Sequence, residues 1–271
     1  MTKQTSKPQS AMQFFGLKYP PFADTFAVHD PFQSDAEKII VQKILALIRQ
    51  GKNLAIYGEA GTGKSMLTKT IINQLDTKEF RIAIIPYGGL NPPVLLRELC
   101  DEFGIDTAGR KSHLARMAQN FKSDKEKPFP VIIIDEAHEM QKQSFFDLCS
   151  LLHDATTRVT TAALILVGQP SLRKMLELDI FTPVRTRLTS LYSMPKLTIE
   201  ESEKFLQYRL LIAKANSKIF SDDAITNIAV DAKGNRRILM NIAAVCLEEA
   251  ARRNDKVVTA EIVAEIAQDN L

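Results

Sequence analysis

A glycine-rich stretch in the first quarter of the chain has the residue types of a phosphate-binding loop. It reads Gly58-Glu59-Ala60-Gly61-Thr62-Gly63-Lys64-Ser65. The preceding apolar run, residues 53–57, is typical of a buried strand, and residues 66–75 follow a helical pattern. Glycines let backbone N–H groups point inward, and a helix N-terminus adds partial positive charge. We therefore predict that these eight residues and Met66 bind nucleotide phosphates, with Lys64 reaching the β- and γ-phosphates and Ser65 ligating Mg²⁺.

A second apolar run ends in two acidic residues. Residues 130–134 are continuously apolar, which indicates a strand buried on both faces, as in a parallel sheet. Asp135 at the end of this strand is placed to bind Mg²⁺, and Glu136 is placed to polarise the attacking water. An acidic pair after a strand can also form a solvated turn. The phosphate loop upstream favours the catalytic interpretation.

A third strand pattern, residues 162–168, is followed by the polar residue Gln169. In a parallel sheet this side chain would lie beside the γ-phosphate. Arg185 and Arg187 precede a short last strand at residues 191–194. We interpret one of them as an arginine finger that reaches the γ-phosphate of a neighbouring subunit; the alternative is that both are ordinary surface arginines.

Two further arginines open a helix near the C-terminus. Arg236 or Arg237 could reach back to ATP, and we prefer Arg237, whereas the alternative is a basic surface turn. His138 follows the acidic pair and could touch the site, but we prefer to interpret it as a solvated histidine.

Alternating strands and helices predict an α/β fold with a right-handed, doubly wound parallel sheet and ligand at the carboxyl ends of the strands. We predict a disordered tail at residues 1–12, a P-loop core at 13–195 and a small all-helical lid at 196–271. The aromatic, proline-broken segment at residues 14–22 is expected to cross the core. There it either forms a wall of the adenine pocket or only packs.

The composition sets limits on these interpretations. The chain has 271 residues, of which 45% are hydrophobic and 25% charged, and a net charge of +3, so whole-protein charge gives no strong case for nucleic acid. Three widely spaced cysteines favour a reducing compartment over disulfides or zinc. Without a run of about 18 apolar residues, the sequence favours a cytoplasmic protein with no membrane association.

Taken together, these residues resemble an AAA+ ATPase. More narrowly, the chain looks like the ExeA-like group, which includes the TnsC, TniB and Mu B type transposition ATPases. The resemblance runs from Phe14 to the end of the chain. The matching stretches are Phe14-Phe15-Gly16-Leu17, Pro21-Phe22, Gly58 to Ser65, Ile133-Ile134-Asp135-Glu136-Ala137-His138, Leu166-Val167-Gly168-Gln169-Pro170-Ser171-Leu172, Phe205, Tyr208-Arg209-Leu210 and Gly234-Asn235-Arg236-Arg237.

The resemblance implies roles for individual residues. Lys64 and Ser65 would belong to Walker A, and Asp135 and Glu136 to Walker B. The remaining roles would be sensor 1 for Gln169, where many AAA+ proteins have asparagine, the finger for Arg185 or Arg187, and sensor 2 for Arg237. One departure is Arg236, which stands where the secretion members usually have proline.

The resemblance also implies a function. Transposition ATPases of this kind bind ATP and Mg²⁺, form rings or filaments on double-stranded DNA with nucleotide at the subunit interfaces, recruit a transposase and disassemble on hydrolysis. We expect this role because secretion members carry a membrane helix and a wall-binding domain after the ATPase, and this sequence shows neither. DNA contacts are predicted at residues 87–91 and at Lys142. The alternatives are a secretion ATPase acting on proteins and another cytosolic DNA-associated AAA+ machine.

Overall fold

The computed structural model describes residues 10–23, 31–123, 127–153, 159–215 and 218–269. Contacts divide the chain into two units. Residues 35–195 form an α/β core unit. The described residues up to Ser34 group with those from Lys196 onward in a helical unit.

The core unit contains a five-stranded parallel sheet in the order β2-β3-β4-β1-β5. This sheet confirms the doubly wound α/β fold that strand and helix alternation predicts. Its strands are β1 (Asn53–Tyr57), β2 (Phe80–Ile85), β3 (Phe129–Ile134), β4 (Ala163–Gly168) and β5 (Leu188–Ser193).

Helices cover both faces of the sheet. Successive side chains of a strand point to opposite faces, so alternate strand residues pack with helices in two different hydrophobic clusters. On β3, Ile132 and Ile134 pack in one cluster, and Val131 and Ile133 in the other. The second cluster includes α2 (Asp35–Arg49) and α3 (Lys64–Asn73). The first includes α4 (Pro92–Glu102), α5 (His113–Ser123), α6 (Lys142–Leu151), α7 (Pro170–Glu177) and α8 (Thr182–Arg185).

The strand register brings the carboxyl ends of the strands to one edge. Tyr57 pairs with Gly168 on one side and with Ser193 on the other. Ile134 pairs with Ile85 and with Leu166. The phosphate loop, the acidic pair and Gln169 therefore begin at the same edge of the sheet, where ligands bind in open parallel sheets.

The helical unit is built from α1 (Ala11–Phe14), α9 (Ile199–Ile212), α10 (Asp222–Asp231), α11 (Arg236–Arg253) and α12 (Ala260–Asp269). Thr198 caps α9 in a capping box with Glu201, since each side chain bonds the other residue's backbone N–H, at 3.1 and 2.9 Å. The core of the helical unit is one hydrophobic cluster of buried residues.

The aromatic N-terminal segment packs in this helical cluster. Phe15, Leu17 and Phe22 are buried there, and the ring of Phe22 meets Phe220 edge-on with centroids 5.9 Å apart. Our expectation that the segment crosses the P-loop core was wrong, because its apolar side chains find their partners on the C-terminal helices. Residues 1–9 of the predicted tail lie outside the described residues. Ala11 is buried and begins α1, so the tail predicted for residues 1–12 extends too far at its C-terminal end.

Within the part of the chain that the structure describes, no helix has both the length and the apolar composition needed to span a bilayer.

Candidate functional site

The phosphate loop is shaped by glycine backbone conformations. Gly61 and Gly63 have φ of 78° and 103°, in the left-handed region that side chains disfavour. A Cβ at Gly58 would lie 2.7 Å from the Cβ of Met194, so only glycine fits beside the end of β5. The loop ends where α3 begins at Lys64, and the N–H groups of its first turn have no partner within the helix. These groups provide a cradle for phosphate oxygens.

The side chain of Lys64 lies inside this loop. Its ammonium donates to the carbonyl oxygens of Gly58 at 2.9 Å and Glu59 at 3.0 Å, and the residue is 7% exposed. A buried cation whose neighbours are loop carbonyls is placed to interact with an anion in the same cradle.

Ser65 and Asp135 lie next to each other across the site. The Ser65 hydroxyl donates to Oδ2 of Asp135 at 3.4 Å. Burial raises the pKa of Asp135, partly offset by the Glu136 N–H that donates to Oδ1 at 2.8 Å. A hydroxyl and a half-buried carboxylate are oxygen ligands of the type that Mg²⁺ prefers, with water and phosphate completing the coordination. These residues fit the predicted metal.

The backbone of Glu136 is strained. Its φ of 49° and ψ of 37° place a non-glycine residue in the left-handed region, which costs on the order of 1–3 kcal/mol. The loop after β2 packs closely against this turn, since a Cβ at Gly88 would lie 2.7 Å from the Glu136 carbonyl oxygen and 2.9 Å from Met140. The fold therefore holds the acidic residue in a conformation that it would not adopt by itself.

His138 is in contact with this acid, and our interpretation of a solvated histidine was wrong. Its side chain is 8% exposed, and its Nδ1 lies 3.3 Å from Oε2 of Glu136. The sequence signal for this contact is that His138 lies only two residues after Glu136. A 3₁₀ turn at Ala137–Glu139 brings it back towards that side chain.

Gln169 follows β4 beside the start of the phosphate loop. The Gly58 N–H donates to the carbonyl of Gly168 at 3.1 Å, and Gln169 is the N-cap of α7. The structure thus brings its backbone to the predicted edge. Its role towards the γ-phosphate stays a prediction.

Arg173 is a residue near the site that sequence reasoning missed. It donates from Nη1 to the hydroxyl of Tyr57 at 2.8 Å and from Nε to Glu177 at 3.0 Å. Tyr57 is the last residue of β1, directly before the phosphate loop. No sequence spacing links residues 57 and 173, because the contact depends on the pairing of β1 with β4.

The two candidate finger arginines differ in their surroundings. Arg185 is half-buried and donates to the Glu177 carbonyl at 3.0 Å and to the Thr182 hydroxyl at 3.5 Å. Arg187 is exposed and donates to the Pro183 carbonyl at 2.6 Å. The finger role concerns a neighbouring subunit and stays a prediction.

The arginines that open α11 also differ. Arg236 is buried, with its guanidinium 5.9 Å from the centre of the Phe205 ring. Arg237 is exposed in the first turn, where Asn235 accepts from its N–H at 3.0 Å. Arg236 is thus part of the packing of the helical unit, whereas Arg237 is exposed, and its role towards the nucleotide stays a prediction.

Comparison with known proteins agrees with this fold. Residues 48–176 match the family model described as an AAA domain. The fold and the phosphate loop are those of an AAA domain with the α/β P-loop architecture. At this level the resemblance seen in the sequence is confirmed.

Two curated relatives cover most of the chain. The chain is 27% identical to General secretion pathway protein A of Aeromonas hydrophila over 263 residues. This stretch covers 92% of this chain and 47% of that protein. The chain is 26% identical over 245 residues to ORC1-type DNA replication protein 1 of Sulfurisphaera tokodaii, which is 86% of this chain and 61% of that protein. The chain therefore spans only about half to three fifths of these relatives' length.

Solved structures share the architecture at low identity. Cdc6p from Pyrobaculum aerophilum matches with a TM-score of 0.68 at 16% identity, over 93% of this chain and 70% of that chain. The Aeropyrum pernix ORC1 protein in complex with DNA matches with 0.67 at 14% identity, over 92% and 68%. The RuvB Holliday junction branch migration motor of Thermotoga maritima matches with 0.58 at 18%, over 88% and 69%. These likenesses establish the fold.

Proposed function

We propose that this chain is an ATP-switched, DNA-binding ATPase that regulates DNA transposition. With ATP it assembles as a homo-oligomer on double-stranded DNA and recruits a transposase to the target site; hydrolysis releases the assembly. The observation that supports DNA as partner is the match, over 86% of the chain, to an ORC1-type DNA replication protein. The transposition role is supported by the sequence resemblance to TnsC, TniB and Mu B type ATPases.

The site residues have distinct tasks in this proposal. The phosphate loop, from Gly58 to Met66, holds the phosphates through backbone N–H groups, and Lys64 turns from the Gly58 and Glu59 carbonyls to the β- and γ-phosphates. Ser65 and Asp135 hold Mg²⁺, which supplies charge neutralisation at the phosphate oxygens when bound.

Hydrolysis depends on residues around the terminal phosphate. Glu136 orients the attacking water, and Gln169 contacts the γ-phosphate from the end of β4. Arg187 is the better candidate for the finger because it is exposed, whereas Arg185 is half-buried against Glu177 and Thr182. Arg237 acts from the helical unit.

DNA contacts are proposed in the loops that follow β2 and β3. Tyr87 is 52% exposed, and Lys142 is an exposed residue at the start of α6. With a net charge of only +3, binding to DNA rests on local contacts to phosphates. We therefore expect weak sequence preference and affinity that falls as salt rises.

Binding to a random-sequence duplex tests the proposal. We would compare ATPγS, ADP and no nucleotide at two salt concentrations and image the complexes by electron microscopy. Salt-sensitive binding with ATPγS alone, in regular assemblies along the duplex, is expected. Lys64→Ala should bind no duplex under the same conditions. Absence of binding by the unaltered protein in every nucleotide state would contradict the proposal.

The partner is tested separately. With a transposase added to the DNA-bound assembly, insertion is expected to occur preferentially into that DNA. A preference for forked or junction DNA without any effect on insertion would instead support a replication or branch-migration type of machine.

A secretion ATPase acting on protein partners is the second candidate. It is supported by the 27% identity to General secretion pathway protein A along 92% of the chain. This candidate predicts no duplex binding and ATP-dependent association with envelope proteins.

Glu136→Gln tests the assignment of the site in either case. The amide cannot take up a proton from water but keeps the side-chain volume, so the variant should bind ATP normally and hydrolyse it on the order of a hundredfold more slowly. Turnover at the unaltered rate would contradict the role given to Glu136.

A further inference from the structure

The imidazole of His138 lies among three groups at the carboxyl edge of the sheet. Its Nδ1 is 3.3 Å from Oε2 of Glu136, and its Nε2 is 3.2 Å from Oε1 of Glu139. The backbone N–H of Gln169 also points at Nδ1, with 3.5 Å between the nitrogens. None of the roles assigned above to the phosphate loop, the metal ligands or the arginines uses this ring.

Burial makes the ring the fixed member of this cluster. The side chain of His138 is 8% exposed, whereas those of Glu136 and Glu139 are 39% and 54% exposed. A half-exposed glutamate samples several rotamers unless a neighbour holds it. The contact at Oε2 selects one of them and leaves Oε1 available for a water molecule.

The two contacts at Nδ1 make opposite demands on that atom. A ring nitrogen that carries a hydrogen can donate to the Glu136 carboxylate, and one that carries a lone pair can accept from the Gln169 N–H. The two bonds therefore alternate. Any movement of the β4 end that strengthens the Gln169 bond weakens the hold on Glu136.

We propose that His138 is a positioning residue that holds the Glu136 carboxylate through Nδ1 and links its orientation to the end of β4 at Gln169. The inference rests on the proposed role of Glu136 in orienting water. It adds a residue that acts on hydrolysis through Glu136 without itself touching nucleotide.

The test compares steady-state ATP hydrolysis, ATP affinity and thermal unfolding for three variants of the full chain. His138→Ala should lower kcat about tenfold while changing KM and ATP affinity by less than about twofold, since only the orientation of the acid is lost. His138→Asn places an amide at the position of Nδ1 and should recover kcat to within about threefold. His138→Gln places its amide at the position of Nε2 and should behave like the alanine variant.

His153 provides the matched control. It is exposed and lies in the core unit outside the proposed site, where its backbone forms an isolated antiparallel β-bridge with Thr160. His153→Ala should leave kcat and KM unchanged.

Combination with Glu136→Gln separates this inference from the proposed function. In the Glu136→Gln background, His138→Ala should change kcat by less than about twofold, because two residues that act through one group are not additive. Slow hydrolysis in Glu136→Gln with normal hydrolysis in His138→Ala would overturn this inference alone. Normal hydrolysis in Glu136→Gln would overturn the role of Glu136 and this inference with it.

Two other results would also overturn it. Rescue by His138→Gln as good as rescue by His138→Asn would show that the contact to Glu139 is the one that matters. Loss of ATP affinity in all three His138 variants, together with a lower melting temperature, would show a structural role of the turn.

Discussion

The two units of the molecule differ in the sequence distance over which their key polar contacts form. In the core unit, Lys64 bonds to the carbonyls of residues six and five positions earlier in the phosphate loop. In the helical unit, the buried Arg209 donates to the carbonyls of Pro21 and Ala23, 188 and 186 positions away. A short motif can specify the first arrangement, whereas the second depends on two distant segments folding together.

Replacing Lys64 should have the largest effect, and it should be confined to function. Lys64→Ala removes the cation from the phosphate cradle. Hydrogen bonds to charged groups contribute about 1.5–3 kcal/mol each, so ATP should bind roughly a hundredfold more weakly. Titration with a fluorescent ATP analogue measures this. Lys204→Ala removes an exposed lysine of the helical unit that pairs with Glu200, and it should bind ATP normally.

Replacing Arg209 should instead affect the stability of the helical unit. Arg209→Ala leaves the carbonyls of Pro21 and Ala23 without their donor and removes a side chain that is 7% exposed. We expect the unit to lose about 3 kcal/mol of unfolding free energy, because unsatisfied buried acceptors cost about 1–3 kcal/mol each. Urea denaturation followed by circular dichroism measures the loss. Arg252→Ala, at an arginine that is 70% exposed, is the control, and equal stability of the two variants would contradict the prediction.

Gly88 and Gly89, in the loop after β2, test how closely the core unit packs against the turn at Glu136. Gly88→Ala places a methyl group against the backbone of Glu136 and Ala137. Overpacking of this kind costs about 1–3 kcal/mol, and the displaced Glu136 should slow hydrolysis. The three atoms nearest to a Cβ at Gly89 belong to the side chain of Tyr87, which is 52% exposed and can rotate into solvent. Gly89→Ala should therefore retain activity. Equal rates of ATP hydrolysis in the two variants would show that the turn at Glu136 can shift without loss of activity.

The cysteines should give the smallest and most local effect. Burial raises the pKa of Cys149 in the core unit and of Cys246 in the helical unit to about 11, from an ordinary value of 9.0. Little thiolate is then present at pH 8, so iodoacetamide should modify both thiols slowly in the folded protein. Mass spectrometry of the two peptides measures each rate.

The same thiols can show whether the two units open independently. In Arg209→Ala, Cys246 should react faster while the rate at Cys149 stays unchanged. Equal acceleration at both would show that the units unfold together. The pKa of both thiols is higher in the folded protein than in the unfolded chain. The unfolding free energy should therefore decrease as pH rises from about 9 towards 11, because the unfolded chain loses these protons first.

The core unit and its nucleotide site follow largely from the sequence. The phosphate loop is a local motif whose glycines set the backbone and whose lysine lies a few residues away. The continuous apolar runs of β3 and β4 specify strands buried on both faces, and parallel strands bring their carboxyl ends to one edge. The sequence alone therefore places Lys64, Ser65, Asp135 and Gln169 at that edge.

Other features were decided only by the tertiary structure. Residues 14–22 pack against helices near the other end of the chain, and periodicity carries no information on so distant a partner. The same holds for His138, whose largely buried ring lies against the Gln169 N–H at the end of β4. Local sequence determines which groups are close along the chain, and only the packed structure determines which distant groups share a site and which become buried.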